Sequence, residues 1–344
     1  MMRYISRPRY SSRRQSMKGF SLVELMVSLA IGLVLVAGLA TLFADSSRTG
    51  AEIDKSMRQI ENGRYAADLL SENVGIAGYY GELVRDGLTV ATPAVADLCS
   101  TAIASLGWNN AALTIPVAVT GLTATQAAAL SCLSDYKTGT AALVLRHVNT
   151  STAVAGASTN ASAYLQTSRC STDSTATKFV FSTASTDFTL RGFNCGTTVN
   201  AVRRYVVRIY YIASCNECGG IDTIPTLKRV ELVGNQMVVS PLVEGIEEVT
   251  FDYGFDTNND GGPEIYRSGL SGVAAAADND WNNVVGIRMQ LLSRTTETST
   301  GFVDGKTYNM GLTGTRGPFN DAYKRRAYTV TVRINNVAGP RETP

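Results

Sequence analysis

Histidine is almost missing from this chain: His147 is the one instance in 344 residues. Zinc sites and nucleophile–histidine relays built on imidazole are thereby disfavoured, and within ALVLRHV His147 is expected to be a satisfied strand residue. Charge is scarce as well. Asp, Glu, Lys and Arg make up 17% of the residues while 44% are hydrophobic, which excludes a charge-rich disordered chain and leaves material for a sizeable core. Neither sign is in large excess: 31 basic against 29 acidic side chains give +2, without the basic surplus of a dedicated nucleic-acid binder. A single long apolar run excludes a polytopic membrane protein. There is also no G-x-S-x-G, no phosphate-cradling glycine loop and no H-E-x-x-H, so no enzyme is expected.

What is present is unevenly placed. Residues 1–19 carry Arg3, Arg7, Arg9, Arg13, Arg14 and Lys18 and no acid. From Phe20 to Phe43 the chain is apolar apart from Glu24. These residues make a helix of about 36 Å, enough to cross a hydrocarbon core of about 30 Å. The positive-inside rule places the basic leader in the cytoplasm and everything after residue 43 on the exported side. The run is too long for a secretory h-region and no A-x-A cleavage site follows it. A plain signal anchor has no need of Glu24, because a carboxylate at that depth costs about 2.5–3.5 kcal/mol and asks for a partner.

Lys18-Gly19-Phe20-Ser21-Leu22-Val23-Glu24-Leu25 resembles the class III signal of type IV prepilins and secretion pseudopilins. The resemblance implies cleavage by a prepilin peptidase between Gly19 and Phe20, and N-methylation of Phe20. It implies that Glu24 pairs with the N-terminal amine of a neighbouring subunit and so sets register; two such charges buried together remove each other's unpaired penalty. The leader is long for the family, and Met17 would be the alternative start.

The helix is expected to continue. Ile53, Ile60, Ala67 and Val74 recur every seven residues, flanked by Met57 and Leu70, and Gly75, Gly78 and Gly81 read as a stop. One helix from Phe20 to Val74 would be about 80 Å long; a break at Asp45-Ser46-Ser47, which carries capping chemistry, is the competing reading. The segment from Glu61-Asn62-Gly63-Arg64-Tyr65-Ala66 to Ala77-Gly78-Tyr79-Tyr80-Gly81 narrows the resemblance to PilW-type minor pilins, related to the J-type pseudopilin of type II secretion.

Residues 88–200 are Ala/Thr/Ser-rich and weakly periodic. Strands are expected at 141–147 and 178–183, a short helix near 125–133, and an exposed loop at 149–163. Residues 202–213, 227–233, 236–240, 246–255, 282–295 and 325–336 read as strands, with a tight hairpin at Gly234-Asn235. Tyr328, Val330, Val332 and Ile334 alternate with polar residues as in a half-buried antiparallel strand. The strings PLVEGIEEVTFDYGFD, WNNVVGIRMQLLSRT and YKRRAYTVTVRINN extend the PilW resemblance, which covers about 17–81 and 202–336.

Six cysteines, Cys99, Cys132, Cys170, Cys195, Cys215 and Cys218, all follow the apolar run. An even number in an exported head fits disulfides, of which 15 connectivities are open. Cys215 and Cys218 are the first candidate pair, and chain order then suggests Cys99–Cys132 and Cys170–Cys195. Without a second C-x-x-C, zinc and thioredoxin-like readings are weak. Asp256, Asn258 and Asp260, followed by Gly261, match the first half of a calcium loop; the twelfth position is Arg267 rather than Glu, and Glu264 is a substitute ligand. The competing reading is an Asx turn between strands. Arg203-Arg204 and Lys324-Arg325-Arg326 are expected to be solvated strand ends. Tyr79, Tyr80 and Trp281 are expected in the core, with surface contact points as the alternative.

The expected architecture is α+β: leader 1–19, transmembrane helix half 20–43, amphipathic half 44–78 and β-rich head 79–344. By resemblance the chain is a minor pilin that helps to initiate type IV pilus assembly and sits in the tip complex. The implied partners are other minor pilins, the major pilin, the prepilin peptidase, a PilY-type tip adhesin and the inner membrane, with no specific nucleic acid and calcium as the one candidate cofactor. The implied location is the inner membrane with a periplasmic head, then the pilus tip. The alternatives are a J-type pseudopilin and an anchored ligand-binding or adhesive module.

Overall fold

The computed structural model describes residues 19–85, 87–91, 97–154, 162–173, 178–269 and 280–342; the leader before Gly19 and residues 155–161 of the 149–163 loop lie outside them. Tertiary contacts divide the chain into two units, 1–54 and 55–344. One helix, α1 (Leu22–Ile76), contributes to both. It does not break at Asp45-Ser46-Ser47; the helix runs through the triplet, and Thr49 Oγ1 donates back to the Asp45 carbonyl at 2.8 Å as a hydroxyl inside a helix does. In the first unit its apolar side chains are bare, Leu22, Leu33 and Phe43 among them.

The second unit starts at Lys55, so the later half of α1 belongs to the head rather than standing apart from it. Its buried residues are Gln59, Gly63, Ala66, Ala67, Leu70 and Val74. This is the expected stripe shifted by part of a turn. Met57 is 57% exposed and Ile53 lies outside the unit. The polar and small residues Gln59 and Gly63 take their place because of what they meet. The Gln59 amide donates to the carbonyls of Ser293 and Lys324 at 3.0 and 2.9 Å, and a Cβ at Gly63 would lie 2.3 Å from the Tyr328 ring.

The Ala/Thr/Ser-rich part supplies β1 (Thr89–Val90), β2 (Thr114–Ile115), β3 (Val119–Leu122), α2 (Ala124–Ala128), β4 (Ala142–Val148), β5 (Tyr164–Thr167) and β6 (Phe179–Ser182). Then come β7 (Val202–Ala213), β8 (Thr226–Val233), β9 (Gln236–Glu244), β10 (Ile246–Phe255), β11 (Ile265–Arg267), β12 (Val284–Arg294), β13 (Tyr308–Asn309), β14 (Thr315–Arg316), β15 (Arg325–Arg333) and α3 (Asn335–Ala338). The six strands that the sequence places in the second half are present, with β9 running on to Glu244 and β15 ending at Arg333, so that Ile334 lies outside it; the short β11, β13 and β14 are additional. The first half holds more strand than its composition suggests, and the short helix is confined to α2 by a Thr123–Gln126 capping box.

Two sheets carry the head. In the larger one β7 is the hub, pairing antiparallel with β4, β5 and β8, while β3, β6 and β9 extend it. The β8–β9 turn is Gly234-Asn235, with Gly234 at φ 61, the left-handed conformation that a two-residue hairpin requires at its first position. The smaller sheet runs β11-β10-β12-β15, all antiparallel. Leu70 and Val74 of α1 share one core with Leu143, Leu145, Tyr210 and Ile212 of the larger sheet and Phe251, Tyr253, Ile287 and Met289 of the smaller. The opposite face of the larger sheet carries a second core around Trp108, whose ring meets Tyr80, Phe179, Phe181 and Tyr205 within 5.7 Å. Packing on both faces explains why β4 is buried along its whole length and β7 along most of it, whereas edge strand β15 alternates.

Candidate functional site

The anchor end is a helix start. Gly19 and Phe20 precede α1 and are exposed, Phe20 at 86%. The Ser21 amide donates to Glu24 Oε2 at 3.0 Å and the Val23 amide to Ser21 Oγ at 3.2 Å. Ser21 and Glu24 thus cap the helix start between them, close to the Ser/Thr-x-x-Glu capping box but with Val23 as the amide that Ser21 Oγ accepts. The carboxylate is folded onto the positive end of the helix dipole, which offsets part of the cost of placing it in lipid. Helix α1 is long and apolar enough to cross a membrane.

In the head the six cysteines form three bonds, Cys99–Cys132, Cys170–Cys195 and Cys215–Cys218. The closed C-x-x-C takes both sulfurs out of metal chemistry, although the Asp135 carboxylate lies within 4.8 Å of them. His147 is buried in β4 with Nδ1 2.9 Å from the Val148 carbonyl, and burial pushes its pKa down, so it is neutral at pH 7. Tyr80 is core, and Trp281 packs edge-on against Tyr253. The Arg203 guanidinium lies over the Tyr79 ring.

Asp256, Asp260 and Glu264 converge, with carboxylate oxygens within 4.8 Å of one another. Most of their oxygens already accept hydrogen bonds. Asp256 Oδ1 accepts the amides of Asn259 and Asp260, and Oδ2 accepts the Gly261 amide and Arg341 Nη1, both at 3.0 Å. Asn258 bonds Asp260 through both ends of its amide, and Glu264 Oε2 accepts the amide and hydroxyl of Thr257. The guanidinium sits against the carboxylate that calcium would need first, so this donor set fits an Asx turn locked by Arg341 and does not fit a calcium cage. Burial raises the Asp256 pKa, but Arg341 and the backbone amides outweigh it and hold the carboxyl below its ordinary value.

The basic strand ends need correction. Arg325 is not solvated: its side chain is 1% exposed and bonds Glu247, Asp304 and Asp321, with the Phe319 ring 3.8 Å from the guanidinium carbon. Arg204 is turned onto Glu231 at 3.3 Å, beside Arg208 at 2.9 Å. The reason is the acids brought from other strands, Glu247 lying 78 residues from Arg325.

Residues 209–336 match the family model of the type IV pilus-assembly protein W, PilW, and residues 14–40 match that of the prokaryotic N-terminal methylation motif. Neither is an enzyme family. No curated protein and no solved structure matches the chain significantly. The first match spans β10, β12 and β15 of the smaller sheet together with β8 and β9, and the second spans Gly19, Phe20 and Glu24. With the methylation motif at its start and a PilW-type region over 209–336 of its head, the chain is similar to the PilW family of type IV pilus-assembly proteins.

Proposed function

We propose that the chain is a minor pilin that helps to start type IV pilus assembly and remains in the complex at the pilus tip. The observation that carries this reading is the conjunction of a methylation-type N-terminus, a bare apolar helix with one carboxylate at its first turn, and a PilW head. Bare helices of this kind would associate side by side with those of other minor pilins and the major pilin, because close helix packing gains van der Waals contact in lipid and gives Glu24 an ammonium partner. The prepilin peptidase would act between Gly19 and Phe20 and the methyl group would go onto Phe20, both of which stand clear of the helix. The head would be periplasmic before assembly, in keeping with three disulfides. A PilY-type adhesin is the partner expected at the exposed end of such a complex.

The test is purification of the tagged full chain from its native membrane, together with counting pili in a deletion strain. Recovery of other pilins and a loss of surface pili support the reading. Normal piliation, with loss of protein secretion instead, assigns the chain to a secretion system as a J-type pseudopilin and overturns it.

A further inference from the structure

We propose that Cys215–Cys218 is a thiol–disulfide exchange site, at which a dithiol reductant opens the bond through Cys218 and leaves a thiolate held by Lys228. Lys228 stands on β8 and is only 5% exposed. Its ammonium bonds Cys218 Sγ at 3.2 Å, and among the described residues no carboxylate is within salt-bridge reach of it. A disulfide sulfur is a poor acceptor for a buried cation, so the closed form leaves this charge undercompensated. Opening the bond converts the same atom into a thiolate and completes the pair. Because the ammonium favours the thiolate over the disulfide, it favours reduction, and it also draws an incoming thiolate towards Cys218.

Three further observations separate this bond from the other two. It closes a loop of three residues, whereas the others span 33 and 25, so its opening releases the least chain entropy. It sits at an exposed turn, where Glu217, Gly219, Gly220 and Ile221 face solvent and Cys218 is the more exposed of its two cysteines. The turn is also tied down independently of the bond: Asp222 accepts the amides of Asn216, Glu217 and Ile224, so the backbone has reason to stay in place when the sulfurs part. The acids that face the pair are Asp135, within 4.8 Å of the sulfurs, the exposed Glu217, and Asp222, whose pKa is held down by the amides of Ile224, Glu217 and Asn216 and, more weakly, by Lys228 itself, which Asp222 thus compensates only in part from beyond salt-bridge reach. The phenol that β7 presents beside them, Tyr211, is committed to the Ser134 carbonyl.

The chemistry balances in two steps. A thiolate of the dithiol attacks Cys218 Sγ; the S–S bond breaks, its electron pair goes to Cys215, and that thiolate takes a proton from water. The second thiolate of the dithiol then attacks its own sulfur in the mixed disulfide and expels Cys218 as a thiolate beside Lys228. The protein disulfide gains two electrons, and the dithiol becomes a disulfide. The fitting partner is a dithiol oxidoreductase of the exported compartment.

The test is reduction of the detergent-solubilised full chain in graded dithiothreitol buffers, followed by acid quench, alkylation and mass spectrometry of each cysteine. Cys215 and Cys218 should become alkylated as a pair at the lowest reductant ratio, with the other four cysteines still bonded. Lys228→Met should raise the ratio needed by about tenfold, one pKa unit's worth of thiolate stabilisation, and Lys228→Arg should restore most of it. Opening of all three bonds together in the unmutated chain overturns the proposal, and so does a Lys228→Met chain that titrates unchanged. If Lys228→Met fails to fold, Cys215→Ser leaves Cys218 as a free thiol. Its alkylation rate should then report a thiolate forming well below the ordinary value of about 8.5; an ordinary profile overturns the assignment.

Discussion

Asp256 shows how much of one residue's role depends on a partner far along the chain. Its carboxylate is fully buried, and its cation is Arg341 from the C-terminal turn. Its depressed pKa makes its contribution to stability present above the unfolded value of about 3.9 and lost as pH falls through the folded one. Asp256→Asn should therefore lower stability by about 1–3 kcal/mol at pH 7, and the gap from the unmutated chain should close under acid, as thermal melts between pH 7 and pH 2 would show. Millimolar calcium should leave the melting temperature of the unmutated chain where it was; a rise that Asp260→Ala abolishes would reinstate the cation. The alternating oxygen side chains were legible in the sequence, but the guanidinium that answers them was not, since nothing local points to Arg341. Gly63 is a second case. In the sequence it is a weak point of a helix, but in the structure it is the space for Tyr328, whose hydroxyl donates to the Ile60 carbonyl at 3.3 Å. Gly63→Leu should cost about 1–3 kcal/mol through overpacking despite the better helix propensity, and a melting temperature equal to or above that of the unmutated chain would refute the packing role.

Among the elements, legibility followed burial symmetry. β7 and β10 occupy the ranges that the sequence marks, because long strands packed into a core are dense in β-branched and aromatic residues, Val206, Ile209 and Tyr211 in one and Val249, Phe251 and Tyr253 in the other. Strands β1, β2, β3 and β5 are two to four residues long and rich in Thr, too short for any period to show. The stripe on α1 was displaced for a different reason: a helix that meets two sheets chooses side chains by the shapes and carbonyls opposite, so Gln59 and Gly63 are buried while Met57 is not. β15 was recognised as a strand, but its first residue was misjudged. Arg325 fastens β15 to β10 through Glu247 and to the 304–321 segment through Asp304 and Asp321. Arg325→Met keeps the stem over Phe319 and strands the fully buried Asp304, and should cost about 3–5 kcal/mol. Urea titration should show the transition midpoint falling with no change of slope; an unshifted midpoint would mean that the network is electrostatically neutral in effect.

For the molecule as a whole, the near-zero charge conceals a division. Removing the six cations of residues 1–19 from 31 leaves 25 against 29 acids, a net of −4 for the chain from Phe20 onward. On the proposed reading a basic leader and a mildly acidic head have separate roles, and Glu24 stands just past the proposed cut between them. In the isolated subunit its carboxylate caps its own helix through the Ser21 amide. In the proposed assembly it exchanges a neutral donor for a neighbour's ammonium, and the gain would be the difference between a charge-assisted pair and a cap bond, enlarged by the low dielectric of the membrane. Glu24→Ala removes both states and leaves the residues on either side of the cleavage point unchanged. Processing should persist, seen as the mature band on a gel, while recovery of the chain in sheared pili drops by about an order of magnitude or more, the effect expected for leaving one ammonium unpaired in lipid. Glu24→Gln should keep the Ser21 cap and still fail to assemble, because an amide does not neutralise the amine. If Glu24→Gln assembles as well as the unmutated chain, the carboxylate serves as a cap and no more, and register must be set by the apolar face of α1.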